Sequence, residues 1–387
     1  MANPESLTLP TIPPDSLPDS DSGPPDSLPP ASAPPASAPP DSGTPHSALR
    51  IPHSTLGLLG VAALVAFPFA VAAWRGQSVN EGDAKFWQGV LIQVFILAIY
   101  AMSYNLLLGY AGILSFGHAM FFGSGAYAAG ILLTSAGWSL EAVVLAVIVI
   151  AVVQSLVIGV LSLRVRGVYL AMVTLAFAQM FFILAEATDF RQWTGAEDGL
   201  HSIPVPAWLD PTDQRLHFYL VALAACVVVY ALIARLVASP AGRVLIAIRE
   251  NEARAQAIGY NTFVYKLLAV VLAGVLAAGA GLLNALWSTN VNSAMLSAGT
   301  TINALLMTII GGVGTLGGPV LGAAVLQLLG YWLNSTFGPR WPLIFGLVYI
   351  AIVLFFPRGL AGTWQLRGGA WRQVWAARWQ SLARREG

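Results

Sequence analysis

Apolar runs of membrane-spanning length recur along the chain from Leu56 to Phe356, separated by short polar links. A bilayer core of about 30 Å takes roughly 20 apolar residues to cross as a helix, so this pattern predicts repeated passage through a membrane. Ten candidate spans follow: 55–73, 86–108, 110–134, 140–163, 167–187, 216–236, 263–287, 300–312, 319–337 and 342–357. The expected fold class is an all-α, polytopic membrane helical bundle. The stretch from Phe86 to Ser135 is apolar almost throughout, but Gly109, Gly112, Gly117 and His118 place a break between two helices. The segment 300–312 is too short to cross unaided, and a glycine-rich break near 312–318 separates it from 319–337. That pair reads either as two spans or as a re-entrant pair, because irregular backbone survives at membrane depth only where protein or water covers it.

Outside the apolar region the pattern changes twice. Residues 1–50 hold 14 of the 24 prolines with no period that buries a face, which predicts a disordered Pro/Ser/Asp-rich cytoplasmic tail. This stretch lacks the basic start and small-residue cleavage site of a signal peptide, so the first apolar run is read as a retained helix. Residues 55–357 form the expected transmembrane domain. Residues 358–387 form a basic tail in which Trp371, Trp375 and Trp379 interleave with Arg372 and Arg378, as in an amphipathic segment lying at the interface.

Composition excludes an ordinary soluble enzyme: 57% of residues are hydrophobic and 10% charged, against roughly a quarter charged in soluble domains. Net charge is +1, so there is no electrostatic case for nucleic-acid binding. Charge instead reports orientation. Arg164 and Arg166, then Arg235, Arg243, Arg249, Arg254 and Lys266, then the arginines of the C-terminal tail, fall on one side when ten spans alternate. That side is expected to be the cytoplasm, with both termini on it, and the acidic 188–215 link lies opposite. Cys226, the single cysteine, excludes an intrachain disulfide and a cysteine-cluster metal site, and is read as a packing residue.

Two stretches carry candidate chemistry. Ser239 to Tyr260 reads as a polar helix between two spans, entered through Ser239-Pro240 and stopped by Gly259. It is either a solvated link or a handle for a soluble partner, whose groove Val244, Leu245, Ile248, Ala255 and Ile258 would fill while Arg243, Arg249, Glu250, Glu252 and Arg254 form the rim. The run from Gly312 to Gly317 matches G-x-G-x-x-G, but it joins two membrane segments rather than a strand and a helix, so it reads as close-packed bent backbone and not as a dinucleotide site. Gly318 and Gly322 continue that small-residue face. Lys85 and Lys266 are the only lysines and neither lies in a P-loop, so the chain holds no ATPase motif of its own. His118 reads as a substrate or proton group or as a local anchor for the turn at 115–117. Glu186 reads as an interfacial group or a partner for a substrate amine. Asn105, Gln154, Gln179, Asn284 and Asn303 are interhelical hydrogen-bonding candidates first and pathway candidates second, and Tyr104, Tyr127 and Tyr169 either pack or line an aqueous route. No span carries a convincing central Asp or Glu, which argues against an ion-coupled transporter, and no acid/base or nucleophile set supports an intramembrane enzyme.

Four further motifs add a resemblance. MSYNLLLGYAGILSFGHAMFFGSGAYAAG (Met102 to Gly130), RVRGVYLAMVTLAFAQM (Arg164 to Met180), TGAEDGL (Thr194 to Leu200) and IIGGVGTLGGPVLGA (Ile309 to Ala323) together resemble the LivM-like permease of branched-chain amino acid ABC importers, in that family's order. The link at 239–260 resembles the EAA-type coupling loop of such permeases, with Glu252-Ala253 ahead of Gly259 and Arg254 where the consensus has a second alanine. Ala196 stands where the family more usually has a glycine. The resemblance implies a ten-helix permease subunit with no cofactor of its own, ATP and Mg being held by two separate ABC ATPase subunits. It further implies a second homologous permease, a periplasmic or extracellular substrate-binding protein, and an amino acid as substrate, with urea, short amides or another small solute as the alternative. On that reading Arg243, Arg249, Glu250, Glu252, Ala253, Arg254 and Gly259 form the ATPase-coupling loop, and Asn105, His118, Gly312, Gly314, Gly317 and Gly318 are pathway or gating candidates.

Overall fold

The computed structural model describes residues 53–76, 78–355 and 359–361. The tail over 1–50 and the Trp/Arg-rich stretch from Trp364 to Trp379 lie outside the described residues. Thirteen α-helices follow in order among them: α1 His53–Arg75, α2 Gly82–Asn105, α3 Ala119–Thr134, α4 Leu140–Ser162, α5 Val168–Glu186, α6 Arg191–Thr194, α7 Arg215–Ala238, α8 Pro240–Glu250, α9 Glu252–Ala257, α10 Thr262–Ser288, α11 Ala298–Gly311, α12 Gly318–Phe337 and α13 Trp341–Phe355. The fold is all-α, and the only β pairing among the described residues is an isolated bridge between Leu200 and Val291.

Six segments are long and apolar enough to cross a membrane: Gly82–Ala111, Leu140–Ser162, Val168–Glu186, Arg215–Ala238, Thr262–Ser288 and Gly318–Ala351. Shorter apolar helices occupy Leu59–Arg75, Ala119–Thr134 and Ala298–Gly311. At about 1.5 Å per residue the 14 residues of α11 reach only about 21 Å, short of a bilayer core.

Helices α2 and α10 form the centre. The first packs on α12, α7, α10 and α11, the second on α3, α4 and α2. Small residues allow the closest crossing. A Cβ at Gly125 of α3 would run into the backbone of Ala278 on α10, and one at Gly281 of α10 into the carbonyl of Phe122 on α3. Helices without apolar side chains between them gain van der Waals contact and exclude lipid, which is how bundles cohere where water supplies no driving force.

The third helix starts later than the apolar pattern implies. Its predicted start at 110 is replaced by a π-helical turn, Leu106–Ala111, that prolongs α2. Gly112 then takes a left-handed conformation (φ 69°), and the chain runs without helix until Ala119. Hydropathy does not distinguish these non-helical residues, because the protein around them supplies their hydrogen bonds: the Phe116 amide donates to Thr174 Oγ1 and the Ala119 amide to Thr301 Oγ1.

Candidate functional site

The helix ends that share Arg164, Arg166, Arg243, Arg249, Arg254 and Lys266 meet at one end of the bundle. There the link between α7 and α10 is not one polar helix but two. Ser239 caps α8, its hydroxyl accepting from the Gly242 amide, with Pro240 at the first helical position. Asn251 ends α8 in extended conformation and caps α9, its side chain accepting from the Arg254 amide at 2.9 Å. A side chain that satisfies a new set of helix-start amides favours a restart over continuation, so the expected single helix breaks here. Gly259 (φ 99°) stops α9 as expected: its amide donates to Gln256 O and that of Tyr260 to Ala255 O, closing a Schellman pair.

The amphipathic face of this link points the other way from the sequence expectation. Val244, Leu245, Ile248 and Ala255 are buried within the chain's own body, and of the five apolar residues only Ile258 stays exposed. The bundle lies closer than any partner and takes the apolar stripe. What faces outward on α8 is a row one turn apart, Arg243, Ala247 and Glu250, and beyond the break Ala253 and Arg254 are exposed on α9. Glu252 also turns inward. It pairs with Lys266 Nζ at 2.7 Å and accepts from Thr262 Oγ1 at 3.1 Å, which fastens α9 to the start of α10. Burial alone would raise the Glu252 carboxyl, but the Lys266 hydrogen bond and charge, the Thr262 hydrogen bond and the Arg166 charge outweigh it and hold the group below its usual value.

Arg249 connects this link to both glycine breaks. Its guanidinium donates to the carbonyl of Gly109 in the π-helical turn. Its stem lies against Gly112, where a Cβ would come within 3.0 Å of Arg249 Cγ. A Cβ at Gly314 would come within 2.8 Å of Arg249 Nη1 and 3.1 Å of Gly109 O. Asn105, at the end of α2, completes the contact: its Oδ1 accepts from the Gly314 amide at 2.9 Å and its Nδ2 donates to Thr315 O at 3.0 Å. One side-chain amide thereby holds the turn between α11 and α12 by two bonds. Within the turn Gly312 (φ 121°) and Gly314 (φ 77°) adopt backbone that favours glycine, whereas neither φ nor crowding accounts for Gly317. Gly318 is crowded by Thr315 Oγ1, which accepts from its amide, and Gly322 lies against the Met307 carbonyl. Asn105, Gly312, Gly314 and Gly318 are thus brought together with Arg249.

His118 stands apart from them. It is fully buried, stacked on Tyr100 and edge-on to Tyr104, with Nε2 2.8 Å from Ser103 Oγ. Because Ser103 donates to Tyr100 O, the imidazole Nε2–H is the donor, and His118 joins α3 to α2 rather than anchoring the turn at 115–117. Its Nδ1 has no hydrogen-bond partner. At the far end of the bundle Glu186 accepts from Ser293 Oγ; Gln154, midway along α4, donates to Ser124 Oγ, Tyr104, beside Asn105, donates to Ser115 O, and Tyr169, at the start of α5, is exposed. Ala196, in TGAEDGL, has φ 51°, a conformation that suits the glycine more usual at this place.

Two concavities flank the centre. One, of about 730 Å³, lies at the Arg249 end between the α4–α5 link, α9 and the start of α10, and includes Arg166, Arg249, Glu252 and Lys266. The other, of about 550 Å³, lies toward the opposite end and has no charged lining side chain. Gln93, Asn284, Asn303, Gln327 and Asn334 are among its polar lining groups. Of these, Gln93, Gln327 and Asn334 are not among the candidates named from the sequence, since neutral amides carry no charge to single them out. A spacing signal marks them: Gln93, Leu97 and Tyr100 on α2, Thr300, Asn303 and Met307 on α11, and Gln327, Tyr331 and Asn334 on α12 each form a one-face stripe.

Residues 87–356 match the family described as branched-chain amino acid transport system / permease component. Among curated relatives, the high-affinity branched-chain amino acid transport system permease protein LivM of Salmonella typhimurium is 28% identical over 79% of this chain and 73% of its own length. The protein of the same name from Escherichia coli is 27% identical over 77% of this chain and 74% of its own. A probable branched-chain amino acid transport permease protein LivM from Methanocaldococcus jannaschii is 26% identical over 70% and 92%. Among solved structures, PsaBC from Streptococcus pneumoniae in complex with Fab aligns at 16% identity with a TM-score of 0.41, over 73% of this chain and 95% of that one. With the family match spanning most of the chain and its helices apolar and membrane-length, this polytopic membrane protein belongs to the permease family of branched-chain amino acid ABC transporters.

Proposed function

We propose that this chain is the membrane permease subunit of an ATP-driven importer of branched-chain or related amino acids, and that it receives motion from separate ATPase subunits through α8 and α9. Its ten apolar helical segments, α11 and α12 included, would sit in the bacterial inner membrane, with both termini cytoplasmic. That orientation rests on the cluster of arginines at the α8 end and on the acidic 188–215 link at the other. A second, homologous permease, two ATPases that hold ATP and Mg, and a periplasmic or extracellular binding protein complete the assembly on this reading.

The observation that carries it is the Arg249 junction. A soluble partner that engages the outward Arg243, Ala247, Glu250 and Arg254 moves α8 as a rigid piece, because its inner face is packed into the bundle. Arg249 passes that displacement to Gly109, and Asn105 passes it from α2 to the turn between α11 and α12. The glycines let these segments touch without intervening side chains. Rearrangement of α11 and α12 against α2 is then the step that opens the solute path, and nucleotide hydrolysis resets it.

A mild-detergent pull-down of the tagged chain with mass spectrometry tests the reading first. Recovery of a second permease and ATPase subunits is the expected result, and a homogeneous chain without ATPase overturns it. In the recovered complex Arg249→Ala should leave assembly and ATP hydrolysis in place while uptake falls about tenfold or more, the scale of one lost charge-assisted hydrogen bond. Unchanged uptake would remove Arg249 from the transmission route.

A further inference from the structure

The uncharged concavity carries an inference about what touches the solute. Asn303 on α11 and Asn334 on α12 are exposed, Gln327 is half-buried, and their side-chain amides make no hydrogen bond among the described residues. Gln93 donates to Asn284 Oδ1 at 3.4 Å, a long bond that leaves its own carbonyl oxygen available. An unpartnered amide facing hydrocarbon costs several kcal/mol, so a face carrying three of them is not turned to lipid. The volume of about 550 Å³ falls within the roughly 300–1,000 Å³ typical of small-molecule sites, more than tight side-chain packing would leave.

We propose that the face shared by α2, α11 and α12 is a water-accessible wall of the solute path. On it the amides of Gln93, Asn303, Gln327 and Asn334 hydrogen-bond a net-neutral amino acid whose apolar side chain rests on Leu97, Met307 and Leu326. The proposal rests on the importer reading. An amide serves both ends of a zwitterion, its carbonyl accepting from the ammonium and its NH₂ donating to the carboxylate, without a fixed charge that would hold the solute too tightly to release. A cationic or anionic side chain finds no counter-charge here and keeps its desolvation cost, so this wall selects for net neutrality and tolerates differences in apolar shape.

The single cysteine makes a direct test practical. In a Cys226→Ala background, cysteines replace Asn303, Gln327, the lipid-facing Val149 and the exposed Glu197 one at a time. Each full complex is treated with a charged, water-soluble thiol reagent in membrane fragments open to both sides. The expected result is modification of Asn303→Cys and Gln327→Cys, slowed by leucine but not by lysine or glutamate, with Glu197→Cys modified regardless and Val149→Cys inert. Separately, Asn303→Leu should lower leucine uptake roughly three- to tenfold, as for one lost hydrogen bond. Absence of modification at both positions while Glu197→Cys reacts, or modification that leucine does not slow, overturns the proposal. ATP-dependent uptake with these positions inert rejects the wall alone. Modified and leucine-protected positions in a chain that recruits no ATPase keep the wall and reject the importer.

Discussion

Helices α2 and α4 are both membrane-length, yet they are built for opposite surroundings. The more apolar of the two is α4, and it is the less buried, with 39% of its most apolar stretch inside the protein against 78% for the segment Gly82–Ala111 that contains α2. Along α4 the residues Leu145, Val149, Val153 and Val157 recur every fourth position and are all exposed. Along α2 the interior holds Gln88, Ser103, Asn105, Tyr100 and Tyr104. In water this ordering would be inverted. In hydrocarbon an apolar stripe loses nothing by facing out, whereas polar groups need protein partners, so the helix that carries the connections is the polar one at the centre.

That contrast is sharpest where backbones touch. Gly125→Leu or Gly281→Leu forces a side chain into the facing helix where no flexible neighbour can yield. Several kcal/mol of destabilisation is expected, enough to remove most folded protein. Size-exclusion profiles and thermal unfolding in detergent read this, and a normal profile for both variants would break the α3–α10 crossing. Asn105→Leu comes next. It leaves the Gly314 amide and the Thr315 carbonyl unpartnered, for a loss of about 2–3 kcal/mol in thermal stability and a larger proportional loss of uptake.

A pH titration weighs the junction at α9. The folded carboxyl of Glu252 titrates below its ordinary value of 4.5, so its pairing with Lys266 contributes stability at neutral pH. That contribution begins to fall as pH drops past the ordinary value and is gone once pH falls through the lower folded value. Glu252→Gln should flatten this acid-side dependence, whereas a charge reversal at Glu252 meets Lys266 of the same chain before any partner. An unchanged acid profile for Glu252→Gln would break the assignment. Ala196→Gly relieves a left-handed alanine and should raise stability slightly, by up to about 1 kcal/mol, read as a small upward shift of the unfolding midpoint. On the lipid side Val153→Leu is expected to stay within about 0.5 kcal/mol, and a larger effect would show that α4 faces protein there.

The sequence by itself determined the all-α class, the placement of helices at the apolar segments, the stop at Gly259, and the family motifs. Each of these depends on local composition or spacing: a hydrocarbon slab imposes a minimum apolar length, and a left-handed stop favours glycine. Only the tertiary structure decided that α3 begins at Ala119, that Asn251 splits the 239–260 link in two, and that Val244, Leu245, Ile248 and Ala255 face inward. It also decided that Arg249 and Asn105, 144 positions apart, meet around one turn. An amphipathic face announces that it must be covered but not by what, and a polar group in a membrane chain announces that it needs a partner but not which. Those choices are settled by what the rest of the bundle brings within hydrogen-bonding distance.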